Sequence, residues 1–214
     1  MSTRVLAAAA LGLLLPASTA LALPGPRKVV DYDIRVSLDD VRRELAGAET
    51  LRWTNPSDVP VAELKFHLYW NAFRNNRSTF FRESGGRLRG DEADTEDGFG
   101  SIDLTSMTSG GVDLLRAARF ESPDDGNPHD RTVLSVPLPT PIAPGETATL
   151  EIAWKSLIPK VFARAGYVRD FYMIGQWYPK IGVLEPRGRR RRAEAGWNAH
   201  QYHAYSEFYA DWGD

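Results

Sequence analysis

The sequence has 214 residues, with 26 Lys and Arg against 28 Asp and Glu and no cysteine. This balanced, slightly acidic charge implies neither a nucleic-acid nor an acidic-membrane partner. The absence of cysteine excludes disulfide bonds and thiolate metal sites. The composition therefore predicts a globular protein that is stabilised by packing alone.

The first residues have the pattern of a secretory signal peptide. Arg4 precedes an apolar run over residues 5–15, and the small-x-small sequence Ala20-Leu21-Ala22 follows. A membrane anchor is the alternative, but eleven apolar residues fall short of the roughly 20 that a spanning helix needs. We therefore expect residues 1–22 to be a signal peptide for export to a bacterial periplasm or exterior, and we expect no transmembrane span. Residues 23–214 form one β domain in this prediction, with 25 basic and 28 acidic side chains.

Apolar and polar residues alternate in three segments of the first third of the chain. A period of two is typical of strands with one buried face. It predicts strands over Val29–Leu38, Arg43–Thr54 and Leu64–Trp70. Clusters of Asp, Asn, Pro and Ser between these segments mark the turns.

Further strands are predicted over Ser101–Met107, Thr132–Leu138 and Thr147–Trp154, with glycine- and proline-rich turns between them. The glycine-rich, acidic segment Arg82–Gly98 is interpreted as a solvated loop, because it lacks the ligand spacing of a calcium loop. No segment has a convincing helical period. Short strands in succession predict an all-β fold, either an antiparallel β sandwich or a curved sheet packed on a smaller one, with a closed barrel as the alternative.

The residues that could carry chemistry do not form a self-contained active site. His200 and His203 would share one face of a helix and could bind zinc there, but their aromatic neighbours favour a strand or loop. On a strand, residues three apart point to opposite faces, so we interpret both as surface or hydrogen-bonded histidines. The motifs H-E-x-x-H and G-x-S-x-G and the phosphate-binding glycine loop are absent from the sequence. We therefore assign no catalytic and no metal-binding residue.

The last third of the chain is rich in aromatic residues, with eleven of the 23 between Tyr167 and Trp212. One interpretation is a well-anchored sheet edge or domain interface, because aromatic rings bury large areas and hold neighbouring strands together. The other is a ligand pocket with aromatic walls, in which Gln176 fixes the ligand. The residues alone favour the first. The basic run Arg187–Arg192 is interpreted as a loop rather than an anion or nucleic-acid site, because the rest of the chain has no supporting basic face.

Four segments carry a family resemblance through their order: Val30–Leu38, Leu64–Phe73, Pro144–Trp154 and Gly175–Val183. Together they resemble the amino-terminal domain of the aminopeptidase N family of zinc metallopeptidases, in a bacterial exported branch. The resemblance implies a saddle-shaped antiparallel β domain that packs on a thermolysin-like catalytic domain, where zinc and the peptide substrate would bind. It implies that this chain is a non-catalytic part without a cofactor of its own, truncated before the catalytic domain. Gln176 matches a Gln or Glu that contacts the free amine of the peptide, so it is the one substrate-binding residue carried over.

Two other functions stay open. A free-standing β-sandwich module could bind a carbohydrate or a protein through exposed aromatic rings. A truncated remnant without a maintained function would leave unpaired strand edges and exposed apolar surface. A reading frame that continues beyond Asp214 into an H-E-x-x-H motif would favour the peptidase-related function over both.

Overall fold

A computed structural model describes residues 28–88, 90–160, 162–211 and 213, so the predicted signal peptide lies outside the described residues. Within these ranges the chain forms fifteen strands. In chain order they are β1 (Val30–Asp39), β2 (Glu44–Thr54), β3 (Val61–His67), β4 (Arg87–Leu88), β5 (Asp91–Glu92), β6 (Ser101–Ser109), β7 (Val112–Asp113), β8 (Arg119–Glu121), β9 (Val133–Ile142), β10 (Thr147–Leu157), β11 (Ala165–Val168), β12 (Phe171–Ile174), β13 (Lys180–Ile181), β14 (Val183–Glu185) and β15 (Gly196–Asn198).

Two open antiparallel sheets form the body of the molecule. The larger has the strand order β1-β2-β10-β6-β7, and the smaller has the order β13-β3-β9-β8. Three two-stranded ribbons, β4-β5, β11-β12 and β14-β15, are attached to them. The prediction of an all-β antiparallel sandwich is confirmed, and neither sheet closes on itself.

The core lies between the two sheets, and alternate residues of β2 and β10 are buried in it. On β2, Leu45, Leu51 and Trp53 point inward, and Trp154 on the neighbouring β10 does the same. Trp154 lies directly opposite Gly47 in the register of the two strands. A Cβ atom at Gly47 would stand 2.3 Å from the Trp154 ring, so the indole occupies the space that a side chain would need.

The prediction of a strand over Leu64–Trp70 is wrong at its carboxyl end. β3 stops at His67, and Tyr69–Phe73 form a 3₁₀ helix. The physical reason is that Leu68, Tyr69 and Trp70 are all buried, whereas a half-buried strand would expose every second side chain.

The expectation of no helix is also wrong, since Thr79–Ser84 form a short α-helix, α1. Ser78 caps its amino end by accepting a hydrogen bond from the backbone N–H of Phe81, and Gly85 ends it with a φ of 60°. The predicted loop Arg82–Gly98 therefore begins inside α1 and contains the ribbon β4-β5. At six residues, α1 is far too short for a membrane span, and no other helix in the described ranges reaches the necessary length and apolarity.

Candidate functional site

Gln176 lies on the bend between β12 and β13, and its backbone is strained. Its φ of 53° falls in the left-handed region, which costs a residue with a side chain roughly 1 kcal/mol or more. The Lys180 ammonium donates a 2.6 Å hydrogen bond to Gln176 Oε1 and so holds the side-chain amide in place. Burial lowers the pKa of Lys180 from its ordinary value. The structure thus presents Gln176 in one fixed orientation.

Aromatic rings anchor this bend to the core. The Trp70 indole N–H donates a 2.8 Å hydrogen bond to the carbonyl of Gly175. On the other side of Gln176, the Trp177 and Tyr178 rings meet edge to face at 5.5 Å, and Tyr178 meets Tyr32 in the same way at 5.3 Å. These contacts agree with the interpretation of the aromatic segment as a structural anchor.

Glu49 is a buried carboxyl group on the inner face of β2. It is 2% exposed, it stands between Ile34 and Ile152 in the sheet register, and neither of its oxygens has a hydrogen-bond partner in the described part of the chain. Burial raises its pKa to about 9, so the group is protonated at neutral pH. Burial raises the pKa of Tyr178, and a charge on Glu49 would raise it further, so the carboxyl group lies near the aromatic bend.

A pocket of about 380 Å³ lies beside the outer face of the smaller sheet, with His67 in its lining. Tyr69, Tyr202 and Phe208 form aromatic walls, with ring centroids 4.7–5.4 Å apart. His67 is 3% exposed, stacks on Tyr69 at 4.8 Å, and has no hydrogen-bond partner for either ring nitrogen among the described residues. Burial, helped by the positive charges of Lys180 and His200, lowers its pKa to about 4, so His67 is neutral at pH 7.

His200 and His203 meet on one carboxylate instead of pointing to opposite faces. His200 Nδ1 lies 2.6 Å from Asp124 Oδ1, and His203 Nε2 lies 3.1 Å from Asp124 Oδ2. The other nitrogen of His203 is 2.7 Å from Glu83 Oε1. The expected divergence fails because the segment around these histidines is irregular rather than a strand. Both histidines are hydrogen-bonded, as interpreted from the sequence.

No group of three or more His, Cys, Asp or Glu within the described ranges has a geometry that could hold a metal ion. His203 already engages both of its ring nitrogens with carboxylates. The described residues therefore do not fit the zinc ion that the family resemblance implies for the parent protein.

The basic run Arg187–Arg192 includes a short 3₁₀ helix, Arg189–Arg191, which the loop interpretation did not include. Carboxylates hold most of its arginines. Arg189 lies 3.1 Å from Asp211, and Arg192 lies 2.5 Å from Glu185. These ion pairs neutralise much of the positive charge of the run within the described part of the chain.

Sequence reasoning missed Glu49 and His67 as groups with a strongly shifted pKa. A signal for Glu49 was present, because it has the same strand phase as Leu51 and Trp53, which point inward. His67 gave no such signal, since it has the same phase as Lys65, on the face that alternation alone predicts to be solvated. Asp124 was missed for a different reason, because its two histidine partners lie more than seventy residues away along the chain.

No family model and no curated protein matches the chain. Two solved structures show a similarity in three dimensions. One is a two-domain M1 zinc metallopeptidase variant bound to L-tryptophan, at a TM-score of 0.36 and 15% identity over 65% of this chain and 23% of that chain. The other is an M1 zinc metallopeptidase variant from Deinococcus radiodurans bound to the substrate Tyr-Ser-Ala, at a TM-score of 0.37 and 16% identity over 67% of this chain and 25% of that chain. This chain thus spans about a quarter of the length of either structure, and these likenesses do not assign it to a family.

Proposed function

We propose that this chain is the non-catalytic amino-terminal domain of an exported zinc aminopeptidase-like protein. In this role it supports a catalytic domain and contributes Gln176 to the substrate pocket. The observation that carries the proposal is the position of Gln176, whose side chain is held by Lys180 and whose neighbour Gly175 is held by the Trp70 indole. The ordered segments that resemble the aminopeptidase N family support the same assignment.

The hydrogen bonds of Gln176 define how it would meet a peptide. Its Oε1 already accepts from Lys180, and a carbonyl oxygen has a second lone pair for one further donor. The free amine of a peptide would use that lone pair, while the side-chain NH₂ group would donate to a peptide carbonyl. The charge of Lys180 opposes the approach of a second ammonium group, so Gln176 would orient the amine rather than supply most of its binding energy.

An exposed apolar surface supports the role as a supporting domain. Val168, Phe171 and Met173 share the outer face of the ribbon β11-β12, and Phe171 is 61% exposed. Val36 and Leu38 add exposed apolar side chains on β1. Surfaces of this kind are typical of contacts with another domain.

The first experiment measures hydrolysis of an aminoacyl anilide by the purified 214-residue chain in the presence of zinc. We expect no turnover, because the sequence has no H-E-x-x-H motif and the described residues form no metal site. Hydrolysis that a chelator abolishes would contradict the non-catalytic role.

The second experiment places Gln176→Ala in a longer protein that contains this chain and an H-E-x-x-H motif. Loss of one hydrogen bond to the substrate predicts a KM about tenfold higher with unchanged zinc content. Arg169→Ala is the matched control, because Arg169 also has a left-handed φ of 53° but lies on an exposed turn. An equal rise in KM for both variants would remove Gln176 from the substrate pocket.

One observation favours the alternative of a carbohydrate-binding module. Tyr205 is 86% exposed, and an exposed ring can stack on a sugar. This function predicts that soluble oligosaccharides quench the intrinsic fluorescence of the isolated chain and that Tyr205→Ala abolishes the quenching. Absence of quenching in the unaltered chain would contradict the carbohydrate-binding function.

A further inference from the structure

A second pocket, separate from the aromatic one, is lined with basic residues. Its volume is about 320 Å³, and it lies between the end of the 3₁₀ helix Tyr69–Phe73 and the loop before β9. Its lining residues are Arg74, Asn75, Arg77, Pro128, His129 and Arg131. A lining with three arginines and no carboxylate is unexpected in a chain with more acidic than basic side chains.

The charges of this basic pocket are balanced only in part. Arg74 Nη2 donates to both carboxylate oxygens of Asp103, at 2.8 and 3.1 Å. Arg77 and Arg131 form no ion pair with a carboxylate in the described part of the chain, whereas arginines elsewhere, such as Arg164 with Glu207, do. The pocket therefore keeps two formal positive charges.

Side-chain amides hold the backbone of the basic residues in position. Asn127 Nδ2 donates to the carbonyl of Arg77 at 2.8 Å, and Asn71 Nδ2 donates to the carbonyl of Arg131 at 2.9 Å. Both asparagines are at most 2% exposed, so these hydrogen bonds form inside the protein. The two arginines thus extend from fixed backbone positions, and less entropy is lost when they bind a ligand.

The guanidinium groups of Arg74 and Arg131 are also oriented. Arg74 Nη1 donates to Asn71 Oδ1 at 3.1 Å, which leaves two of its five N–H donors for a ligand. The Arg131 guanidinium lies 5.1 Å from the centre of the Phe120 ring, at the distance of a cation–π contact. Planar guanidinium groups bind oxyanions through paired hydrogen bonds.

We propose that this basic pocket binds a doubly charged tetrahedral oxyanion, the phosphate group of a phosphate monoester. Two unbalanced positive charges match a dianion better than a carboxylate with a single charge. The phosphate can belong to a small free molecule or to the headgroup of phosphatidic acid, and both offer a terminal phosphate monoester. The proposal does not involve Gln176 and does not depend on the proposed function.

The test is calorimetric titration of the purified chain with inorganic phosphate, with acetate as the singly charged comparison. We expect saturable binding of phosphate, and affinities about tenfold lower for Arg77→Gln and for Arg131→Gln. Arg116→Gln is the control, because Arg116 is an exposed arginine outside the pocket that pairs with Asp113. Both pocket substitutions affect exposed side chains, and thermal unfolding of each variant verifies that it is folded.

Three results would overturn the proposal: no saturable binding at millimolar phosphate, equal affinity for acetate, or an equal loss in Arg116→Gln. Glycerol 1-phosphate and vesicles of phosphatidic acid in phosphatidylcholine then identify the source of the phosphate. Binding of the vesicles that free phosphate competes away supports a lipid headgroup, and binding of glycerol 1-phosphate without vesicle binding supports a small molecule. Binding to neither ester would also overturn it.

Discussion

Two pairs of ionisable groups, Glu49 with His67 and Asp124 with His203, differ in their hydrogen-bond partners and in the direction of their pKa shifts. Glu49 and His67 are buried without a hydrogen-bond partner among the described residues, and burial moves the pKa of each toward its neutral form. Burial also favours the neutral forms of Asp124 and His203, but their hydrogen bonds favour the charged forms and outweigh the effect of burial. The pKa of Asp124 is therefore lowered and that of His203 raised, and each shift favours the charged form.

This difference shows that hydrogen-bond partners, more than the depth of burial, decide whether an ionisable group is charged. An ionised carboxyl group that accepts hydrogen bonds from histidines stabilises the folded state. A buried carboxyl group without partners destabilises the folded state when it is ionised, so it keeps its proton. The two groups therefore predict opposite responses to substitution. Removal of the lone group stabilises the fold, and removal of the partnered one destabilises it.

The largest effect is expected for Glu49→Met at about pH 8, a stabilisation of roughly 3 kcal/mol. The pKa of Glu49 is about 9 in the folded state and about 4.5 in the unfolded state, so the unfolded chain loses the proton first as pH rises. The stability of the unaltered protein consequently falls by up to about 1.4 kcal/mol per pH unit between these values, and the variant lacks this fall. Urea unfolding of both proteins at about pH 5 and about pH 8 measures this difference in stability.

Glu151→Met is the control for this substitution, because Glu151 is exposed on the neighbouring strand β10. We expect little change in its stability at either pH. A stability difference between Glu49→Met and the unaltered chain that is the same at both pH values would show that Glu49 is not a lone buried acid.

A smaller effect of opposite sign is expected for Asp124→Ala, a loss of about 2 kcal/mol. The substitution removes the acceptor for His200 and His203 and for the backbone N–H of Gln201, which lies 2.8 Å from Asp124 Oδ2. Urea unfolding near neutral pH measures the loss, with Asp33→Ala on the exposed face of β1 as control. Equal stability of the two variants would mean that the Asp124 hydrogen bonds do not stabilise the fold.

Effects of at most about 2 kcal/mol are expected for the two histidines. The pKa of His67 is lowered, so its burial costs stability as pH falls from about 6.5 toward about 4, and His67→Phe is more stable than the unaltered chain at about pH 5. The pKa of His203 is raised, so it stabilises the fold below about pH 6.5 and this gain is lost as pH rises; His203→Gln is less stable at about pH 5. Both differences shrink at about pH 8. Thermal unfolding of both variants measures these differences. Stability changes of the same sign for His67→Phe and His203→Gln at acidic pH would contradict the contrast between buried and hydrogen-bonded groups.

Strands such as β2 and β10 could be predicted because their burial alternates, and alternation is visible in the residues. Leu51 and Trp53 on β2 point inward as predicted, and the strands around them were placed within a few residues. Alternation fails where the chain is buried on every side, as in Leu68–Trp70. The helix α1 was missed because six residues are too few to display a helical period.

The site was only partly predictable, for reasons of distance and conformation. Gln176 was singled out from its neighbours, but its left-handed backbone and its bond to Lys180 are products of the fold. The meeting of His200 and His203 on Asp124 depends on an irregular segment and on a carboxylate far away in sequence. Local periodicity carries no information about either.

Trp154 and Gly47 have a consequence for how this sequence can change over evolutionary time. The indole lies where a side chain at position 47 would be, so neither position can be altered freely while the other is kept. A related chain with a side chain at the position of Gly47 should carry a smaller residue in place of Trp154. The two positions are expected to covary in an alignment of relatives, as neighbours in space that lie on separate strands.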